Sequence, residues 1–290
     1  MKRQDFRFFH RLRVRWAEVD MQKIVFNAHY LMYFDTAITE YWRTLALPME
    51  TVFAQLGGEL YVKKASVEFN ASAQMDDLLD VALRCERIGN SSIQFIGAIF
   101  HGDRHLISSE IIYVFADPIS QTSRPVPDVL RAVFMGYEAG EPMVEMKVGS
   151  WAELGADAAQ VRHEVFVEEQ KIPKELESDP ADADMSTVHA VAYNRMGMPL
   201  ATGRYLPCDD GPTGVVKVGR MAVIRVLRGA GVGRDVLLAL MEAARQQGHK
   251  EVVLHAQRSA QDFYARMGYA VRGEPFEEAG IAHIEMHKRL

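Results

Sequence analysis

Hydrophobic and polar residues first alternate along the chain and then recur at helical spacing. The stretch Phe9 to Trp16 alternates apolar and basic side chains, which predicts a half-buried strand. From Asn27 to Leu47 apolar residues return every three or four positions and Pro48 follows, which predicts one long helix. Four β-prone runs with short turns between them come next, at 60–69, 78–88, 92–100 and 105–115. Because short turns join antiparallel neighbours, we expect an antiparallel sheet wrapped around the helix.

The second half of the chain mixes helices and strands. Its predicted helices are 152–169, 231–247 and 260–267, and its predicted strands are 144–148, 188–193, 201–206, 215–224, 251–256 and two near 269 and 284. The acidic, proline-containing stretch 171–187 predicts a surface loop, either over part of an active site or a simple connection. A chain of 290 residues is longer than the usual single domain, so two hydrophobic cores are expected. We therefore predict an α+β protein with two domains, 1–138 and 139–290, the second a mixed sheet flanked by helices.

Composition narrows the classes of function. The formal net charge is -6, so nothing indicates a general attraction for nucleic acid. The two cysteines, Cys85 and Cys208, are far apart and form no paired motif, so neither a disulfide framework nor a metal site is predicted. No run of about 18 apolar residues and no signal-like segment occurs. These features predict a cytoplasmic protein without a membrane span.

A glycine-rich turn between a strand and a helix is the strongest chemical signal. The strand Val218 to Val223 leads to the turn 228–233, Arg-Gly-Ala-Gly-Val-Gly. Glycines at a helix N-terminus expose amides that bind phosphate. The order Arg-x-x-Gly-x-Gly differs from the dinucleotide and P-loop motifs. Together with the later segment Asp262 to Tyr269, in which an aromatic pair precedes a glycine, it resembles the acetyl-CoA signature of the GNAT superfamily of N-acyltransferases.

This resemblance implies a set of ligand contacts. Acetyl-CoA or another acyl-CoA is the expected cosubstrate, and no permanently bound cofactor is implied. Met221 and Val223 would bond the pantetheine arm and the thioester carbonyl, and Tyr264 would protonate the departing thiolate; on its own, Tyr264 equally suits a core tyrosine. The backbone amides expected to hold the pyrophosphate are those of Arg228, Gly229, Ala230, Gly231, Val232 and Gly233.

The amine acceptor cannot be named from the sequence. The attacking amine must be neutral, so a base or a water chain is required. By residue type Glu164, Glu168, His255 and His283 are candidates, although the glutamates also suit a solvated helix face and the histidines satisfied polar positions at strand ends. We place His283 on the acceptor side.

One carboxylate precedes the long helix of the first half. Asp20 has the plain alternative of a turn or cap residue. The run from Asp20 to Phe34, however, resembles the opening motif of hotdog thioesterases of the 4-hydroxybenzoyl-CoA type. The resemblance implies that Asp20 attacks the thioester carbonyl or activates water, while helix N-terminal amides polarise the carbonyl oxygen. Asn27 and His29 are expected to contact substrate, and Glu18 is expected to be solvated.

Both resemblances concern CoA thioesters, which predicts a bifunctional enzyme that hydrolyses acyl- or aroyl-CoA and transfers an acyl group to an amine. Hotdog domains pair across a dimer, so a homodimer or a larger homo-oligomer is implied. Two departures from the hotdog motif are Lys23, where a glycine is common, and Asn27, where some members have histidine. They motivate an alternative, in which a silent hotdog domain serves as a dimerisation or ligand-sensing module for an active acetyltransferase.

Overall fold

Two compact units make up the chain, Met1–Met143 and Val144–Leu290. The computed structural model describes residues 1–208, 214–278 and 280–290. Helices and strands occur in both units, which confirms the predicted α+β class. The division predicted after residue 138 falls in the last turn of a helix, Asp128–Ala139, that ends at Gly140 with φ +93°. A glycine in this left-handed conformation is a common helix terminator, and the chain leaves the first unit only after it.

The first unit contains a five-stranded antiparallel sheet in the order β1-β3-β4-β5-β2. Short 3₁₀ turns occur at Arg3–Asp5 and Trp16–Glu18. The strands are β1 (Phe8–Arg13), β2 (Glu59–Phe69), β3 (Leu78–Ile88), β4 (Ser92–His101) and β5 (Arg104–Ala116), and the helices are α1 (Asn27–Thr44), α2 (Met49–Leu56) and α3 (Asp128–Ala139). Helix α1 ends three residues before the predicted end. Pro48 does not simply terminate it but is the N-cap of α2, which the sequence analysis did not predict.

Aromatic packing holds α1 against one face of this sheet. The ring of Phe34 covers Gly97 of β4 so closely that an added Cβ would lie 2.5 Å from it. Farther along α1, the ring centroid of Tyr41 lies 5.3 Å from Phe8 and 5.6 Å from Phe95, and it stacks on Phe134 of α3 at 5.8 Å. The apolar face of α1 read from the sequence is therefore the face that the sheet covers.

The second unit contains a seven-stranded sheet in the order β11-β12-β10-β9-β8-β7-β6. Its strands are β6 (Val144–Gly149), β7 (Val188–Asn194), β8 (Pro199–Pro207), β9 (Val215–Val223), β10 (Glu251–Gln257), β11 (Ala270–Glu278) and β12 (Ile281–Arg289). Its helices are α4 (Trp151–Arg162), which continues as a π-helix over His163–Glu169, α5 (Lys174–Glu177), α6 (Val232–Gln246) and α7 (Gln261–Arg266), with 3₁₀ turns at Pro180–Ala183, Arg225–Leu227 and Arg258–Ala260. Neighbouring described strands pair antiparallel except β9 and β10, which are parallel.

Helices α4 and α6 pack on opposite faces of the second sheet. Ala190 and Ala192 of β7 belong to the core cluster of α6, whereas Val191 and Tyr193 pack with α4. Successive strand residues point to opposite faces, so the two helices sandwich the sheet. In the described ranges of the chain, none of the helices combines the length and the apolarity that crossing a membrane requires.

Candidate active sites

A cavity of about 590 Å³ opens in the second unit where β9 and β10 stop pairing. The parallel register ends at Val218 and Leu254, although both strands run on, to Val223 and Gln257. Beyond that point the strands diverge, and β9 and β10 form two walls of the cavity. The predicted loop stretch 171–187 forms part of a third wall, through Ile172, Leu176, Glu177 and Asp179.

A β-bulge shapes the wall formed by β9. The pairing of β8 with β9 shifts so that Arg220 and Met221 together oppose Gly203. Arg220 has φ +52°, a left-handed conformation that is costly for a residue with a Cβ. Met221, predicted to contact the pantetheine arm, lines the cavity, and its sulfur packs directly over Gly203. The bulge therefore turns this part of the strand toward the cavity.

Tyr264 reaches the cavity from α7. Its side chain is only 7% exposed and packs edge-on against Tyr269, with ring centroids 5.9 Å apart. Burial raises the pKa of the Tyr264 phenol to about 12, so the hydroxyl keeps its proton throughout the physiological range.

Two histidines on neighbouring strands form a polar wall. Nδ1 of His283 lies 2.8 Å from the carbonyl oxygen of Ile281, and because a carbonyl only accepts, Nδ1 carries the proton and Nε2 keeps a lone pair in the neutral ring. Nδ1 of His255 lies 2.9 Å from Glu278 and 3.2 Å from Nζ of Lys217. Burial would raise the pKa of Glu278, but the hydrogen bond and charge of His255 and the charges of Lys217 and His283 lower it.

The other two candidate bases lie elsewhere. Glu164 and Glu168 are exposed on the π-helix and do not line the cavity. The position of Glu168 matches the solvated helix face that the sequence left open as an alternative. Partial burial, together with the charges of Glu168 and Glu169, raises the pKa of Glu164.

The glycine-rich turn lies outside the cavity lining, at the start of α6. Gly229 and Gly231 have φ +87° and +89°, and an added Cβ at Gly233 would lie 3.0 Å from Val223. Two of the predicted phosphate-binding amides are already engaged, since those of Arg228 and Ala230 donate to the carbonyls of Arg225 and Leu227 at 3.3 and 3.2 Å. Among the described residues, the other four, Gly229, Gly231, Val232 and Gly233, donate to no main-chain carbonyl.

The side chain of Arg228 has a structural role that the motif did not indicate. It forms two hydrogen bonds of 2.6 Å to the carboxylate of Glu169 and a third, of 3.0 Å, to the carbonyl of Val223. Arg228 thus ties the π-helix to the end of β9. Val223, predicted to bond the pantetheine arm, lies outside the cavity lining, and its carbonyl accepts this bond.

The sequence analysis did not single out a set of three arginines near the cavity. The side chains of Arg162 and Arg204 are 2% and 5% exposed, and both pair with Asp182, at 2.9 and 2.5 Å. Arg220 and Arg204 both line the cavity. The available signal was an arginine inside an otherwise apolar strand pattern, in ATGRYL and VGRMAV, because an inward-facing charge needs a partner or a ligand.

In the first unit, Asp20 lies in a tight turn just before α1. Its amide donates to the carbonyl of Ile24 at 2.9 Å, and its Oδ1 accepts from the amide of Gln22 at 2.8 Å. The turn needs a left-handed residue, which is Lys23 with φ +62°. Lysine therefore occupies a left-handed conformation that glycine adopts without strain, at the position where the hotdog motif commonly has glycine.

The turn brings Asp20 close to the first turn of α1. Burial raises the pKa of Tyr30, and the charges of Asp77 and Asp20 raise it further. The N-cap residue, Phe26, has no side chain that bonds the free amides of the helix. Asn27 is exposed, whereas Nδ1 of His29 is buried and, in the part of the chain that the structure describes, has no hydrogen-bond partner.

Glu18 is buried, at 3% exposure, and the prediction that it is solvated is wrong. It accepts hydrogen bonds from the backbone and side chain of Arg15 and from the hydroxyl of Tyr33 at 2.8 Å. Burial alone would raise its pKa, but these bonds lower it. A strand-end position does not reveal such partners, because Tyr33 comes from α1.

Comparisons with known proteins match a different family to each of the two units of the chain. Residues 14–134 match the model of the thioesterase-like superfamily, and residues 157–290 match the acetyltransferase (GNAT) domain. The uncharacterized N-acetyltransferase YjcF of Bacillus subtilis is 39% identical over 46% of this chain and 90% of its own. Protein ElaA of Escherichia coli is 33% identical over 45% of this chain and 84% of its own. The acyl-CoA thioester hydrolase YbgC of Escherichia coli is 26% identical over 42% of this chain and 92% of its own. The chain thus belongs to the GNAT acetyltransferase family through its C-terminal half and carries a thioesterase-like hotdog domain in its N-terminal half.

Proposed function

We propose that the protein is a bifunctional cytoplasmic enzyme that uses acyl-CoA in both domains. The observation that supports acyl transfer most directly is the cavity between β9 and β10, which joins Met221, Tyr264 and His283. The four unengaged amides at the start of α6 suit the pyrophosphate of CoA, because they add to the positive end of the helix dipole. Met221, which lines the cavity, suits the pantetheine arm, whereas the carbonyl of Val223 is already bonded to Arg228, and no permanently bound cofactor is needed.

Acyl transfer then follows from the cavity chemistry. The neutral amine attacks the thioester carbonyl carbon, the C–N bond forms and the C–S bond breaks. His283 Nε2 accepts the proton that the amine loses, and Tyr264 gives its proton to the departing thiolate. Since the Tyr264 pKa is about 12, the phenol carries its proton at physiological pH and can donate it. After the thiolate has left, the proton held by His283 passes to the Tyr264 phenolate and restores both groups.

Hydrolysis in the N-terminal domain is assigned to Asp20. Its carboxylate attacks the thioester carbonyl or activates a water, and the products are a carboxylic acid and CoA. The free amides at the start of α1 stabilise the oxyanion, an effect of about 3 kcal/mol for one donor. Asn27 and His29, both in the first turn of α1, are the proposed substrate contacts.

We further propose that the hotdog domain forms a homodimer or a larger homo-oligomer. Strand β2 is an 11-residue edge strand of its sheet, and most of its residues are exposed, among them Tyr61, Val62 and Phe69. Long exposed edges of this kind invite pairing with a second chain. Light scattering should give at least twice the 32.7 kDa of the chain.

The test measures thiol release from short, long and aromatic acyl-CoAs, with and without added amines. Asp20→Asn should abolish release without amine, whereas Tyr264→Phe should slow only the amine-dependent release. Asp103→Asn, at an exposed turn between β4 and β5, is the matched control. Hydrolysis that persists in Asp20→Asn would refute the assigned site. No hydrolysis by the wild type, together with amine acylation, would leave a silent hotdog domain.

A further inference from the structure

Among the residues that the structure describes, one arginine on a wall of the C-terminal cavity shares its nearest carboxylate with another arginine. Arg162 binds Glu177 and Asp182, and Arg204 binds Asp182 and Asp179. These two arginines therefore occupy the three carboxylates of the cluster.

Arg220 makes only weak contacts with this cluster. Its Nη2 lies 3.3 Å from the carbonyl of Leu176 and 3.7 Å from Asp179, whose carboxylate Arg204 already binds. Its Nε is buried and has no hydrogen-bond partner within the described ranges. Burial, together with the charges of Arg204 and Arg162, lowers the pKa of Arg220. A guanidinium nevertheless remains charged. The three arginines and three carboxylates of the cluster balance in charge, so what Arg220 offers a ligand is the hydrogen-bond donors that the cluster leaves unused.

The backbone holds Arg220 at this wall at a cost. Its φ of +52° belongs to a region that costs a non-glycine residue about 1–3 kcal/mol. Its side chain is 28% exposed and lines the cavity. Strain of this size persists where the surrounding structure enforces it, and it is concentrated at ligand-binding positions.

The order of residues along β9 argues against the CoA phosphates as the partner of Arg220. The glycine-rich turn follows Met221 in the chain, whereas Arg220 precedes it. In the proposed binding mode the pantetheine arm runs from the turn to Met221, so only the reacting end of the cosubstrate approaches Arg220. The acceptor enters at that end.

We propose that the acceptor is an amine that also bears a carboxylate, and that Arg220 binds this carboxylate. The inference rests on the proposed acyl transfer and specifies its substrate class. The planar fork of a guanidinium matches a carboxylate with two parallel hydrogen bonds. His283 and the pair formed by His255 and Glu278 supply a polar wall for the amine end. The cavity volume of about 590 Å³ suits a small acceptor beside the thioester.

The test compares acetyl transfer from acetyl-CoA to 4-(aminomethyl)benzoate and to 4-(aminomethyl)benzamide, which differ only in the distant charge. The wild type should prefer the benzoate by about tenfold or more in kcat/KM, as expected for a charge-assisted pair. Arg220→Gly should remove this preference and leave the KM for acetyl-CoA unchanged. Glycine suits a φ of +52°, so this variant removes the guanidinium without opposing the fold. Arg220→Lys should retain part of the preference, and Arg245→Gln, on the exposed surface of α6, should retain all of it.

Several results would overturn the proposal. Equal rates for the two amines, or a preference that survives in Arg220→Gly, would exclude a carboxylate site at Arg220. A preference for succinyl-CoA over acetyl-CoA with benzylamine, lost in Arg220→Gly, would place the carboxylate on the acyl group instead. If no amine is acylated, the proposed transferase activity fails separately. Calorimetry then measures the binding of the N-acetylated benzoate and the N-acetylated benzamide to the protein in the presence of CoA. Equal affinity for these two products would refute a carboxylate site at Arg220.

Discussion

Replacing Gly203 with alanine tests the packing that holds the β9 bulge in place. An added Cβ would lie closer than 3.0 Å to the sulfur of Met221, 3.0 Å from Cδ1 of Leu240 and 3.2 Å from Cγ1 of Val236. The two aliphatic side chains belong to α6 and are fully buried, so they have little room to move. Met221 is only partly buried and has the most flexible side chain of the three, so we expect its sulfur to move away from β8.

The expected loss of stability follows from the cost of overpacking a core. Inserting a methyl group into a well-packed site costs about 1–3 kcal/mol. Alanine lowers the entropy of the unfolded chain relative to glycine, which offsets about 0.4–1 kcal/mol. We therefore expect the free energy of unfolding of the C-terminal unit to fall by about 1–2 kcal/mol, and its Tm to fall by about 2–4 °C for each kcal/mol in a domain of this size.

Urea unfolding of the full chain, followed by circular dichroism, measures the change, and calorimetry measures acetyl-CoA binding. Gly219→Ala is the matched control for unfolding alone, because nothing lies within 4 Å of its built Cβ and it occupies the same strand as Met221, but it lines the cavity. Arg245→Gln, on the exposed surface of α6 and outside the cavity lining, is the control for binding. Gly203→Ala should also weaken acetyl-CoA binding, because the displaced Met221 side chain occupies cavity volume. An unfolding midpoint equal to those of the wild type and Gly219→Ala would show that the close contact is absent.

Three further predictions concern other parts of the molecule. Gly97→Ala should destabilise the N-terminal unit by about 1–3 kcal/mol in urea, because its Cβ meets the buried ring of Phe34 at 2.5 Å. Arg162→Met should lower the free energy of unfolding of the C-terminal unit by about 3 kcal/mol, since it removes one partner of the buried Asp182; an unchanged midpoint would contradict this. The kcat/KM for amine acetylation should rise with pH as the amine deprotonates and should not fall before the pH approaches 12, because burial raises the Tyr264 pKa to about 12; a decline near pH 10 would refute that role.

Periodicity predicted the long elements well and the backbone irregularities poorly. Helix α1 begins at Asn27 as predicted, because its apolar face repeats over five turns. Helix α2 was missed, since Pro48 was interpreted as an end rather than as the N-cap of a second helix. The predicted helix to Glu169 is helical, but its last seven residues are a π-helix, and apolar spacing does not distinguish an i+5 hydrogen-bond pattern over so short a stretch.

The position of the glycine-rich turn at the start of a helix was predictable from the sequence, whereas the engagement of two of its amides and the pairing of side chains across the fold were not. The turn 228–233 was recognisable because its glycines recur in a fixed order. The left-handed Arg220 was not, because nothing in a strand pattern predicts φ +52° at an arginine. The partners of Glu18 and Arg162 come from other elements, so their burial follows only from tertiary structure.

The separation of β9 from β10 leaves strand edges open inside a sheet. Past Val218 and Leu254, these two strands no longer use each other's amides and carbonyls. An extended ligand seated there acts as a short additional strand, and its binding should slow hydrogen exchange at those amides. Binding through main-chain hydrogen bonds depends on the path of the backbone and little on the identity of the side chains in the two strands. If the proposed acyl transfer holds, substitutions at this edge can alter the choice of acceptor while the backbone still binds the cosubstrate, so one scaffold can acquire new acceptors without first losing its donor.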